Sequence, residues 1–214
     1  MNRLLKIIFV LFFVRPVVLL VLGLNVKNRY KLPETGPAII AANHNSHLDT
    51  LVIFSLYPLL QVHKLRPVAA ADYFLSNPLL AWFSLKVIGI IPLSRKSEID
   101  RGKIFDDCYK ALDNDDILIL FPEGSRGEPE KTGKIKKGIY YLVKERPMTQ
   151  VIPLVTHGLG RALPRGEALF VPFNCDVVIG DQIPVPESST DMVKLLQVRY
   201  SELLEQCLTY SVDE

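Results

Sequence analysis

Residues 38–57 read AIIAANHNSHLDTLVIFSLY. AIIAA is a short, unbroken apolar run of the kind buried in a sheet. LVIFSLY follows Ser46 and Asp49, whose S-x-x-D spacing marks a helix start. Strand, polar loop and helix thus succeed one another within twenty positions.

The same alternation recurs along the chain. PVAAA, VIGIIPL, DILILF, QVIPLVT, and ALFVPF with CDVVIG read as further strands, each brief, apolar and bounded by Pro, Gly, Asn or Asp. Between them, Ile104, Cys108, Ala111 and Leu112 fall on one helical face over 100–112, and Ile135, Ile139, Leu142 and Val143 do so over 135–143. A last amphipathic helix over 188–208 turns Met192, Leu196, Tyr200, Leu203 and Cys207 inward. This pattern predicts an α/β fold with a mostly parallel sheet flanked by helices.

At 214 residues the chain can bury one sizeable core. Its 49% hydrophobic and 22% charged residues, with a mean hydropathy of +0.21, exceed the greasiness of an average soluble domain but keep too much charge for a multi-span membrane protein. Cys108, Cys175 and Cys207 are far apart and odd in number, which predicts reduced, buried, structural thiols. The net charge is only +2, yet 64–103 and 126–146 each carry seven basic and three acidic residues. Two basic regions favour an anionic ligand or surface. Nucleic acid fits poorly, because no binding motif is present and the aromatics lie in apolar runs.

Residues 7–24, IIFVLFFVRPVVLLVLGL, are nearly all apolar. At ~1.5 Å per residue they are marginal as one span. Arg15 and Pro16 at the centre disfavour a straight one, and basic residues flank both ends, so both ends are expected to stay cytoplasmic. An interfacial or re-entrant anchor over 1–26 is the expectation, ahead of a true span, a buried core helix or a signal peptide.

Loops after strand C-termini are where α/β proteins build sites. Here NHNSHLD, SRK, PEGSRG and THG share that edge. His44 and Asp49, five apart, would diverge by about 140° on one helix. They can meet only if His44 sits in the loop and Asp49 in the first helical turn. The carboxylate could then fix the imidazole tautomer and leave the other nitrogen to take a proton. Metal ligation by His44, His47 and Asp49 is the rival, and a capped helix start with an incidental histidine the plainest reading. FPEGSRG offers exposed backbone N–H groups and a guanidinium suited to phosphate. It is neither a GxSxG elbow nor a Walker motif. Arg95, Lys136 and Lys137 are further phosphate candidates; Lys137 at a helix N-terminus opposes the helix dipole unless an anion binds there.

Taken together these blocks resemble the glycerolipid acyltransferase family, the lysophosphatidic acid acyltransferase-like proteins. NHxxxxD stands as Asn43, His44 and Asp49, the glycine-to-arginine block as Gly89 to Arg95, FPEG[ST]xx as Phe121 to Gly127, and the apolar run into proline as Val151 to Leu154. The resemblance implies an acyltransferase domain over 27–214. His44 would deprotonate an acceptor hydroxyl that attacks the thioester of acyl-CoA or acyl-carrier protein, with Asp49 orienting His44 and no metal or other cofactor. It also implies that Arg126, Glu123 and Gly124 bind the acceptor's glycerol phosphate, aided by Arg95; Ser125 and Lys137 are further substrate-binding candidates. Lysophosphatidic acid is the leading acceptor and another lysolipid the alternative, since Ser94 stands where an acidic or amide residue is common. The oxyanion donor defaults to a backbone N–H, and oligomeric state stays open. Such an enzyme is expected at the cytoplasmic face of a membrane, the bacterial inner membrane or its equivalent.

Overall fold

The computed structural model describes residues 2–46, 48–94, 104–127, 133–162 and 174–210. Arg95, His47, the run ALFVPF and the start of the helix expected over 100–112 therefore lie outside the described residues.

The chain opens with helix α1 (Arg3–Phe9), a π-helical turn (Val10–Val14) and α2 (Arg15–Val21). Pro16 sits in the first turn of α2. With no N–H to give, it cannot join the i−4 ladder, and the widened turn lies directly before it. Strand β1 (Gly23–Lys27) follows, then β2 (Ala38–Ala42), α3 (Leu48–Ser55), β3 (Leu65–Ala70), α4 (Ala71–Phe74) and α5 (Pro78–Phe83). A second π-helical turn (Ser84–Ile88) leads to β4 (Ile91–Leu93). Then come α6 (Asp106–Asp113), β5 (Ile117–Leu120), α7 (Gly138–Glu145), β6 (Gln150–His157), α8 (Leu159–Ala162), β7 (Asn174–Ile179) and α9 (Ser189–Leu204).

The seven strands form one sheet in the order β1-β7-β6-β2-β5-β3-β4. Every pairing is parallel except β6 with β7, so the sheet is mostly parallel but mixed. VIGIIPL enters it only at Ile91, because Val87 and Ile88 belong to the π-helical turn. Alternate residues of the central strands point to opposite faces. Ala38, Ile40, Ile117 and Ile119 meet α3 and the first helices. Ile39, Ala41, Leu118 and Leu120 meet α6, α7 and α9. Cys108, Cys175 and Cys207 are buried and unbridged.

The front segment divides by face. Val10, Val14, Val18 and Leu22 are at most 4% exposed and join the core beside α3. Phe12, Leu19 and Leu20, at 73%, 74% and 84%, project outward. Gly23–Val26, placed with the anchor by the sequence reading, pair in register with Asn174–Val177 of β7. Arg15 turns back to the body, its guanidinium donating to the Tyr57 carbonyl at 3.2 Å. Among the described residues no helix is long and apolar enough to cross a membrane.

Candidate active site

Ala41 of β2 is in register with Leu120 of β5 and Pro153 of β6, so these three strands deliver their C-terminal loops to one place. The loop after β2 closes as a capping box. Leu48 N–H donates to Ser46 Oγ at 3.3 Å, and Asp49 reaches back to accept the Ser46 N–H at 2.9 Å. That break in the helix lets His44 and Asp49 meet despite their five-residue separation.

His44 Nδ1 lies 2.9 Å from Asp49 Oδ2. The same oxygen accepts the N–H of Asn45 at 2.9 Å, and Asp49 Oδ1 accepts the Thr156 hydroxyl at 3.1 Å. The carboxylate is fully buried, while a fifth of the His44 side chain is exposed. Its lone pairs point at hydrogen-bond donors, which suits an orienting anion better than a metal ligand. Among the described residues no three His, Cys, Asp or Glu side chains gather at a metal-binding spacing. Asn43 ties the loop to β6, accepting the Thr156 N–H at 2.7 Å and donating to the Thr156 carbonyl at 2.9 Å.

The loop after β5 is sewn to the first through the main chain. His44 N–H donates to Glu123 Oε1 at 3.1 Å, Gly133 N–H donates to Glu123 Oε2 at 2.9 Å, and Gly127 N–H donates to the His44 carbonyl at 3.3 Å. Glu123, expected among the phosphate binders, is engaged with the protein's own main chain. It is buried, both oxygens serve backbone amides, and its negative charge would repel a phosphate. Burial raises its pKa above the ordinary carboxylate value, against those two amides.

Gly124, Ser125 and Arg126 line, together with His44, a cavity of about 860 Å³. Apolar side chains form most of its wall, among them Leu51, Val68, Phe74, Phe83 and Phe121, with Phe9 and Phe13 from the front segment. From 78–85, which holds α5, only Phe83 takes part. Lys137 is exposed at the start of α7 and is not among the lining residues. Its neighbour Lys136, also exposed and outside the lining, brings its Nζ against Gly124, where an added Cβ would stand 2.6 Å away. The sequence reading missed Thr156, which sits in an apolar strand with no motif of its own; its only signal was the polar THG at the end of that strand.

The edge of the sheet thus brings together a histidine–carboxylate pair, a large apolar cavity and an arginine. The chain belongs to the acyltransferase family: the family model matches residues 23–157, well over half its length. It is 26% identical over 172 residues to a chloroplastic 1-acyl-sn-glycerol-3-phosphate acyltransferase of Arabidopsis thaliana, covering 79% of this chain and 46% of that one. It is 24% identical over 183 residues to the human 1-acyl-sn-glycerol-3-phosphate acyltransferase alpha, covering 83% and 62%. The chain thus spans between about half and three fifths of the length of these relatives. Its fold matches that of the 1-acyl-sn-glycerophosphate acyltransferase PlsC from Thermotoga maritima, with a TM-score of 0.75 at 17% identity, covering 97% of this chain and 82% of that one.

Proposed function

We propose that the chain transfers an acyl group from a thioester donor, acyl-CoA or acyl-carrier protein, to the free hydroxyl of a lysophospholipid, with 1-acyl-glycerol 3-phosphate as the leading acceptor and phosphatidic acid as product. The observation that carries this reading is His44 held by a buried Asp49 at an apolar cavity that also presents Arg126. The names of the relatives support the acceptor.

Asp49 at Nδ1 leaves Nε2 of His44 as the proton acceptor. Nε2 takes the acceptor's hydroxyl proton as its oxygen bonds to the thioester carbon. The tetrahedral intermediate then expels the thiolate, which receives the proton from the imidazolium. No acyl-enzyme forms in this scheme, and among the described residues no serine or cysteine side chain is hydrogen-bonded to His44. Arg126 and Lys136 bind the phosphate as cations, and the apolar wall takes an acyl chain. Phe12, Leu19 and Leu20 place the molecule on a membrane surface by their exposed face, with the bulk of the chain on the cytoplasmic side.

The test supplies acyl-CoA and 1-acyl-glycerol 3-phosphate in detergent and follows thiol release with phosphatidic acid formation. His44→Ala is expected to lower kcat by ~10²–10⁴-fold, the usual contribution of a general base. Asp49→Asn should fall comparably, because an amide cannot accept on both sides. EDTA should change nothing; chelator-sensitive turnover would return His44 and Asp49 to a metal site. Turnover only with another lysolipid would keep the chemistry and replace the acceptor.

A further inference from the structure

Thr156 is the next-to-last residue of β6 and is wholly buried. Its main chain is anchored independently of its hydroxyl: the N–H donates to Asn43 Oδ1, and the carbonyl accepts from Asn43 Nδ2 at 2.9 Å and Asn45 Nδ2 at 3.0 Å. The hydroxyl lies 3.1 Å from Asp49 Oδ1 and 3.3 Å from Asn43 Oδ1. It has a single proton to give. Asn43 Oδ1 already accepts a short hydrogen bond, the carboxylate is the stronger acceptor, and its distance is the smaller. Among the described residues Thr156 supplies the one hydrogen bond to Asp49 Oδ1, whereas Oδ2 meets two backbone amides and His44.

We infer that Thr156 is a positioning residue for the His44–Asp49 pair: its hydroxyl fixes the carboxylate plane so that Oδ2 faces Nδ1, and it shares the negative charge that would otherwise fall on the imidazole contact. This rests on the proposed role of His44 as base. Two consequences separate it from mere packing. Without the hydroxyl a buried carboxylate oxygen loses its donor, so the carboxylate is free to turn and the reacting imidazole is held less well. The remaining charge also concentrates on Oδ2, which stabilises the imidazolium and makes His44 harder to deprotonate.

Thr156→Val keeps the shape and removes the donor, while Thr156→Ser keeps the donor and removes a methyl. For Thr156→Val, kcat is expected to fall about 10- to 100-fold, the cost of losing a hydrogen bond to a charged group. KM for acceptor and donor should stay within about twofold, and the acid limb of the kcat/KM profile should move up by roughly half a unit to one unit. Thr156→Ser should recover most of the rate and the parent limb. An unchanged kcat and limb in Thr156→Val, or equal losses in Val and Ser, would overturn the inference, as would a rate loss with a lowered Tm and an unmoved limb. Should Thr156→Val fail to fold, Thr156→Ala is read against Thr156→Ser in the same way. Failure of both to fold makes the role structural and overturns it too.

The titration of His44, followed by ¹⁵N NMR without substrates, separates this inference from the one beneath it. Turnover that survives His44→Ala defeats the base reading. An upward shift of the His44 midpoint in Thr156→Val still supports the coupling, and no shift defeats it.

Discussion

The imidazole of His44 lies on the ring of Phe121, with centroids 4.1 Å apart and planes 22° from parallel. Phe121 is the first residue after β5, so the strand that leads into the FPEGSRG loop also supplies a flat rest for the imidazole. Asp49 fixes one edge of the imidazole and Phe121 fixes a face. Phe121→Leu should keep the fold and lower kcat about 2- to 10-fold, matching the ~0.5–1.5 kcal/mol of an aromatic pair. Steady-state kinetics checks this, with KM for the acceptor expected to stay put.

Gly124 adopts φ +72°, in the left-handed region, and Lys136 Nζ lies across its open face. In Gly124→Ala the backbone strain costs ~1–2 kcal/mol, and the lysine head must move off the turn. The expected outcome is a lower Tm together with a raised KM for a phosphate-bearing acceptor. A KM equal to that of the parent would detach Lys136 from the anion.

Lys6 is wholly buried, donating to the carbonyls of Leu65 and Ile88, with Nζ 4.3 Å from the centre of the Phe54 ring. The carbonyls and the ring favour the ammonium. Burial opposes it more strongly, with Arg66 adding repulsion, and holds the pKa well below the ordinary lysine value. Between its folded value and the unfolded ~10.4, the unfolded chain binds more protons than the folded one, so stability rises with pH across that window. Denaturant unfolding at neutral pH and above is expected to show this rise in the parent and a flatter course in Lys6→Met.

Phe12 and Leu20 lie outside the cavity lining and project from the front segment. Phe12→Asp and Leu20→Asp should each weaken binding to anionic vesicles by about tenfold or more, given ~1.5–3 kcal/mol for burying a large apolar side chain. Turnover of detergent-dispersed substrates should hold. Co-sedimentation with vesicles, run beside the detergent assay, reads both.

The strands that build the site were legible because each is a short apolar run ending in polar residues, as in AIIAA before Asn43 and DILILF before Pro122. The meeting of His44 with Asp49 was legible because Ser46 marks the helix start. β1 was not, since GLNVK is half polar and continues a longer apolar stretch. Its pairing with β7 is a long-range contact that no local pattern announces. The inward direction of Glu123 was not legible for a related reason: a carboxylate in a glycine-rich loop carries no sign of direction, and it is the backbone amides of His44 and Gly133 that turn it inward. Thr156 reaches Asp49 across 107 residues.

The capping box at Ser46 also governs which sequence changes the site can absorb. Of the described positions between His44 and Asp49, Asn45 and Ser46 give their N–H groups to the carboxylate, Leu48 gives its own to the Ser46 hydroxyl, and the Asn45 side-chain amide donates to the Thr156 carbonyl. Exchanges that spare the Asn45 amide and the Ser46 hydroxyl leave these bonds in place. One residue added or removed is another matter, because it would swing Asp49 by about 100° around α3 and carry the carboxylate away from the imidazole. The spacer is therefore defined by its length as well as by its cap, and a single-codon insertion there should disable the site more completely than a substitution that spares Asn45 and Ser46.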